Sequence, residues 1–204
     1  MKQLDLSLYV VLDPVLCRAH SMVETARLAV AGGATVIQLR DKDASTEALV
    51  EVGQELKYVL EGTGVPLIVN DDMEAAIAIG ADGLHLGQDD MPVSDARWMI
   101  GAEMILGLSV ETEEAMRAVD SSIVDYVGVG PVFGTPTKPD HKPPIGLDGL
   151  ARIVALSPVP TVAIGGLKAE HVAPVRAAGA DGLAVVSAVC GQRDPEGAAR
   201  LFMV

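Results

Sequence analysis

The chain has 204 residues, half of them hydrophobic, with a mean hydropathy of +0.35. That is enough to bury about 70% of the unfolded surface and too apolar for disorder. Its 28 acidic and 15 basic residues leave a formal charge of −13, which excludes a general nucleic-acid or anionic-membrane binder, because either needs a basic face. Aromatic residues make up only 3%, so Ala, Val, Leu, Ile and Gly must fill the core.

Short apolar runs recur along the chain at Leu8–Leu12, Thr35–Leu39, Leu67–Val69, Gly83–Leu86, Ile105–Leu108, Tyr126–Val129, Thr161–Ile164 and Gly182–Val186. They are rich in Val, Ile and Leu and apolar on both faces, the pattern of buried parallel strands. Segments of helical period lie between them: Met22–Ala31, Thr46–Leu60, Met73–Ile79, Ser94–Ile100, Glu113–Val119, Leu147–Leu156, Glu170–Ala178 and Pro195–Leu201. Ser45, Asp72 and Thr112 stand at N-cap positions. Gly32, Gly80, Gly101 and Gly179 stand where a left-handed residue ends a helix. Eight such pairs in about 200 residues predict a minimal (β/α)8 TIM barrel, a single domain over residues 1–204. The motif Gly-Ala-Asp-Gly at 80–83 returns at 179–182, each time closing a helix and opening a strand. It marks either a repeat or convenient turn chemistry.

Cys17 and Cys190 have no metal-ligand spacing and form no redox pair, and with no disulfide framework a reducing cytoplasm is expected. No apolar run reaches the length of a membrane span. Trp98 and the methionines at helical spacing read as core. Glu111, Glu113 and Glu114 read as a solvated first helical turn.

Barrel chemistry gathers at the C-terminal ends of strands. After the second strand, alternation sets Gln38, Arg40 and Lys42 on one side of the chain. Two cations and an amide there suit a phosphate or diphosphate, although a solvated strand end paired to Asp41 and Asp43 fits the same residues. Asn70, Asp71 and Asp72 follow the third strand, and Gln88, Asp89 and Asp90 the fourth. Asp71 and Asp90, on adjacent loops, suit a hard cation such as Mg2+ bound with substrate phosphates, or else serve as helix caps. Ser109 ends the fifth strand and can donate a hydrogen bond at the mouth. Residues 130–146 form the longest irregular stretch and carry Thr135, Pro136, Thr137 and Lys138. Gly165 and Gly166 follow the seventh strand, Val186 and Ser187 the eighth, where barrels commonly bind phosphate. His85 alternates with apolar neighbours and reads as a satisfied structural histidine. His20 and His171 read as exposed.

With these residues in place the chain resembles the thiamine-phosphate synthase (thiamine-phosphate pyrophosphorylase) family. The resemblance rests on QLRDK at 38–42, VND at 69–71, HLGQDD at 85–90, GLS at 107–109, GPVFGTPTK at 130–138, AIGG at 163–166 and VVS at 185–187. It implies a Mg2+-dependent transferase that joins 4-amino-5-hydroxymethyl-2-methylpyrimidine diphosphate to a thiazole phosphate, loss of diphosphate preceding capture by the thiazole nitrogen. It further implies that Gln38, Leu39, Arg40, Asp41, Lys42, Asn70 and Lys138 hold the pyrimidine diphosphate and that Asp71 and Asp90 hold Mg2+. Ser109 would contact the pyrimidine or leaving group. Thr135, Pro136, Thr137, Gly166, Val186 and Ser187 would bind the thiazole phosphate, and Arg40, Lys42, Ser109 and Lys138 would act in catalysis. One departure is Gly134, where the family's pattern leads us to expect proline; Gly there is expected to loosen the loop. The partners implied are small molecules, with no nucleic acid and no membrane, and a helix face is left for a homo-oligomer. The rival readings are a thiazole tautomerase-like barrel, which needs no diphosphate metal site, a phosphosugar epimerase or isomerase barrel, and a non-catalytic binder of thiazole or thiamine phosphate.

Overall fold

Residues 4–135 and 142–203 are described by a computed structural model of the chain. Strands β1 (Leu8–Leu12), β2 (Val36–Leu39), β3 (Leu67–Asn70), β4 (Gly83–Leu86), β5 (Ile105–Val110), β6 (Tyr126–Val129), β7 (Thr161–Ile164) and β8 (Gly182–Val185) pair in parallel and in sequence order. β8 returns to β1, with Leu8 opposite Leu183, and closes the barrel. The expected (β/α)8 architecture is therefore the observed one. Helices α1 (Ser21–Ala31), α2 (Thr46–Leu60), α3 (Met73–Ile79), α4 (Val93–Ile100), α5 (Glu113–Arg117), α6 (Gly146–Val154), α7 (Val172–Ala177) and α8 (Pro195–Arg200) surround it.

The strands read as unbroken apolar runs because they are buried on both sides. Leu8, Val10 and Leu12 of β1 face the helices, whereas Tyr9 and Val11 join Val36, Ile68, Tyr126, Val162 and Ala184 in the lumen. Each of these aliphatic side chains contributes about 1.5–3 kcal/mol of burial. The same alternation carries Gln38 and His85, both buried, into the lumen beside them.

The repeated Asp has a structural task at the barrel floor. Asp82, just before β4, accepts the N–H of Leu67 at the start of β3 (2.9 Å). Asp181, just before β8, accepts the N–H of Thr161 at the start of β7 (2.7 Å). Asp125 takes Leu106 N–H (2.8 Å), and Thr35 Oγ1 takes Leu8 N–H (3.1 Å). Alternate interstrand junctions are thus stitched by one side chain, which gives the echo in the sequence a shared physical cause. Ser45, Asp72 and Thr112 cap α2, α3 and α5 as expected.

Three expectations are corrected. Trp98 is 85% exposed rather than core, because its neighbour Arg97 takes the inward direction. The Arg97 guanidinium donates to the carbonyls of Ile123, Gly101 and Met104 and to Asp125. The left-handed residue after α1 is Gly33, with φ of +109°, not Gly32. Cys17 and Cys190 are both buried and unbridged, in keeping with the expectation, and Cys190 Sγ donates to Val11 O at 3.4 Å. His171 is half-buried against the Phe133 ring, 4.6 Å between centroids, and its Nδ1 accepts from Lys168 N–H.

Candidate active site

The C-terminal ends of the strands open onto a cavity of about 140 Å³. Arg40, Ser109, Thr135, Gly166, Val186 and Ser187 line it, from five different strand ends or loops. A second cavity of about 70 Å³ lies deeper in the lumen, walled by Tyr9, Gln38, Asn70, His85 and Tyr126. Ser109 lines both and sits at their junction.

Gly165 and Gly166 hold the far side of the mouth with φ of +101° and +64°. A Cβ at Gly166 would lie 2.6 Å from Gly134 O and 2.9 Å from Phe133 Cβ. Only glycine combines this backbone with this approach of the sixth loop. Gly134 has open space around its Cβ position, so the structure gives no steric reason for glycine there.

The carboxylate side adjoins the cavity. Asp71 follows β3 in a left-handed conformation, φ +63°, with its N–H bonded to His85 O at 2.9 Å. Such a backbone costs a non-glycine residue about 1–3 kcal/mol, and Asp tolerates it better than most. The strained turn brings the Asp71 carboxyl near enough to that of Asp90 for the two charges to interact. Gly87 N–H fixes Asp90 Oδ2 at 2.7 Å. Burial first, and the Asp90 carboxyl second, push Asp71 up to about 6, while Lys42 pulls the other way. Lys42 Nζ stands 3.6 Å from Asp71 Oδ2, so this lysine serves the carboxylate pair rather than Asp41 or Asp43.

Below the mouth a hydrogen-bonded chain crosses the lumen. Gln38 Nε2 donates to Tyr9 Oη (2.7 Å), Tyr9 and Tyr126 share a hydrogen bond (2.8 Å), Tyr126 Oη meets His85 Nδ1 (2.9 Å), and His85 Nε2 meets Ser109 Oγ (2.9 Å). Burial holds His85 down to about 4, so it is neutral at neutral pH. Gly107 makes room for the chain: a Cβ there would strike the Tyr126 ring and lie 2.5 Å from His85 Nδ1.

Among the residues singled out from sequence, Gln38, Arg40, Asn70, Ser109, Thr135, Gly166, Val186 and Ser187 line the two cavities. Lys42, Asp71 and Asp90 gather beside them on the rim. Two do not join by their side chains. Leu39 is fully buried in the core between barrel and helices, which is the other consequence of the alternation that turns Gln38 inward. The Asp41 carboxylate accepts Asp43 N–H at 3.1 Å in a local turn. Pro136, Thr137 and Lys138 lie outside the described residues. Sequence reasoning missed Tyr9 and Tyr126, and it misread Glu111. That carboxylate lines the mouth, is 17% exposed and pairs with Lys142 at 2.6 Å rather than meeting solvent.

Chemically, the site offers Arg40, Lys42 and the glycine turns to anions and one carboxylate pair to a cation. Among the described residues no group of three or more His, Cys, Asp or Glu side chains gathers. A pair of carboxylates forced together against their own repulsion is an all-oxygen donor set that suits Mg2+, an ion completed by substrate phosphates and water.

The sequence model of the family described as thiamine monophosphate synthase matches residues 8–189. The thiamine-phosphate synthase of Xanthobacter autotrophicus is 52% identical over 199 residues, covering 98% of this chain and 94% of that protein. That of Syntrophomonas wolfei is 46% identical over 196 residues, covering 96% and 94%. The solved thiamine phosphate pyrophosphorylase from Pyrococcus furiosus superposes with a TM-score of 0.88 at 37% identity, covering 98% of this chain and 95% of that one. A 3-hexulose-6-phosphate synthase structure, at 19% identity and a TM-score of 0.67, shares the fold.

Proposed function

This chain belongs to the thiamine-phosphate synthase family, and on that premise we propose how its barrel mouth performs the transfer. The enzyme condenses 4-amino-5-hydroxymethyl-2-methylpyrimidine diphosphate with a thiazole phosphate to give thiamine phosphate and diphosphate. The pyrimidine enters the deep cavity between Gln38, Asn70 and Ser109, and its diphosphate reaches up to Arg40, Lys42 and the carboxylate rim. The thiazole phosphate sits across the mouth, against Thr135, Gly166, Val186 and Ser187, and Pro136 and Thr137 are assigned to the same ligand from the sequence. Lys138 adds a cation to the diphosphate side.

The observation that carries this reading is a cavity lined by Arg40, Ser109, Gly166 and Ser187 with Lys42 and the carboxyls of Asp71 and Asp90 on its rim. We assign the rim and Arg40 to the diphosphate and the glycine turns to the thiazole phosphate. In the transfer, the bond between the pyrimidine methylene and the diphosphate oxygen breaks, and the oxygen keeps the electron pair. The thiazole nitrogen lone pair then forms the new carbon–nitrogen bond. No proton is moved, so no general base is required, which agrees with a neutral His85 bonded at both ring nitrogens. Arg40 and Lys42 stabilise charge that grows on the leaving group, as fixed positive groups do best where water is excluded. Asp71 and Asp90 would hold Mg2+, whose chemistry is to neutralise phosphate oxygens. The enzyme works on small molecules, a reading supported by the net charge of −13, and in the cytoplasm, a reading supported by its two unbridged cysteines; no described helix is long and apolar enough to cross a membrane.

Calorimetric binding tests the two-sided site. Thiazole phosphate is expected to bind with EDTA present, whereas the pyrimidine diphosphate is expected to need Mg2+ and both Asp71 and Asp90. Equal metal dependence for both ligands would refute the division.

A further inference from the structure

The lumen chain Gln38–Tyr9–Tyr126–His85–Ser109 contains a directional constraint. Each hydroxyl has one proton, and an amide nitrogen can only donate. Gln38 Nε2 therefore uses one acceptor site of Tyr9 Oη. Tyr9 is buried, and among the described residues its hydroxyl also meets Tyr126 Oη at 2.8 Å. Its proton goes there, because the reverse arrangement would leave it without a protein acceptor, at a cost of about 1–3 kcal/mol. Tyr126, having accepted, donates its own proton to His85 Nδ1 at 2.9 Å. His85 then carries its proton on Nε2 and donates to Ser109 Oγ at 2.9 Å. A doubly protonated His85 would donate to Tyr126 and leave one of the two tyrosine protons without a protein acceptor.

We propose that this chain, oriented from the Gln38 end, locks His85 as the Nε2–H tautomer and so leaves the Ser109 hydroxyl proton free to be donated into the pocket. Tyr9, Tyr126 and His85 are then positioning residues that act through Ser109. The group Ser109 recognises is a hydrogen-bond acceptor, a ring nitrogen or a phosphate oxygen of the pyrimidine diphosphate. Gln88 holds the serine in place by donating to its carbonyl at 2.7 Å. The Ser109 step rests on the function proposed above; the tautomer does not.

Nitrogen-15 NMR of the imidazoles in the whole protein without substrates reads the tautomer directly. Each ring is assigned by substituting His20, His85, His141 and His171 in turn. The wild type is expected to show His85 with protonated Nε2 and unprotonated Nδ1, and Ser109→Ala is expected to leave that signature intact, because the order comes from the opposite end. Tyr126→Phe is expected to release it, with both ring nitrogens shifting toward averaged values. An Nδ1–H tautomer or an imidazolium in the wild type overturns the proposal, as does a change of tautomer in Ser109→Ala or no change in Tyr126→Phe. In turnover, Tyr126→Phe is expected to lower kcat about fivefold to tenfold, the effect of one neutral hydrogen bond, with KM for thiazole phosphate unchanged. A protein with the expected tautomers and no synthase activity would reject the proposed function while leaving the lock standing.

Discussion

Replacing Asp71 by Asn is expected to stabilise the metal-free barrel while abolishing its chemistry. Asp71 is pushed from 3.8 up to about 6, chiefly by burial and then by Asp90, with Lys42 opposing. At ~1.4 kcal/mol per pH unit, keeping it charged at pH 7.5 costs the folded state about 2–3 kcal/mol. Asn removes the charge, keeps the shape and tolerates the left-handed φ of +63° as well as Asp does. In a chain of this length that is worth about 5–10 °C in Tm. The sign of the pH dependence follows from the raised value. The wild-type penalty is fully present well above pH 6 and is relieved as the pH falls through 6 and then 3.8, so that it is gone near pH 3, where the carboxyl is protonated in both folded and unfolded chains. The advantage of Asp71→Asn is therefore largest at pH 7.5, much reduced at pH 4 and gone near pH 3. Excess Mg2+ should raise the wild-type Tm by mass action and leave the variant's unchanged. Thermal unfolding of both proteins in EDTA across this pH range, repeated with Mg2+, checks every term. A variant less stable than wild type at pH 7.5, or a gain as large at pH 4 as at pH 7.5, would refute the reasoning.

Other substitutions separate scaffold from site. Asp181→Ala removes the acceptor for Thr161 N–H and Oγ1 on the barrel floor and should cost about 1–3 kcal/mol in urea unfolding, with kcat unchanged. Gly166→Ala must abandon φ of +64° or clash with Gly134 O, so KM for thiazole phosphate should rise at least about tenfold, equivalent to ~1.4 kcal/mol, while the pyrimidine side still binds. Arg40→Lys keeps the charge and loses the bidentate fork, and kcat should fall about tenfold or more, as for a loss of ~1.4 kcal/mol in the transition state; unchanged steady-state kinetics would remove Arg40 from the leaving-group contact.

The fold was legible because a parallel barrel writes itself locally. Buried strands such as Leu8–Leu12 are short apolar runs, and capped helices such as the one after Ser45 announce their starts. The rim was legible for a related reason: Arg40, Asp71, Asp90 and Ser187 each follow their own strand, so position along the chain implied position in space. What was not legible depends on pairs distant in sequence. Tyr9 and Tyr126 meet across 117 residues and His85 and Tyr126 across 41, and no spacing reveals that. One signal was available: Tyr9 shares the inward alternation of Val11, which pairs with Gln38. Trp98 was misplaced for an energetic reason, since periodicity favours a tryptophan in the core over an arginine, and only the carbonyls of Ile123, Gly101 and Met104 justify turning Arg97 inward.

The central claim is that one barrel mouth uses a metal-bearing carboxylate rim to release diphosphate toward a thiazole phosphate held opposite. Its most direct test is the yield of diphosphate and thiamine phosphate from the purified protein given both substrates, with Mg2+ and with EDTA. Equal amounts of the two products, formed with Mg2+ and both substrates together, are the predicted result. Tight binding of thiazole phosphate with no diphosphate released would contradict it and leave a phosphate-binding barrel without the transfer.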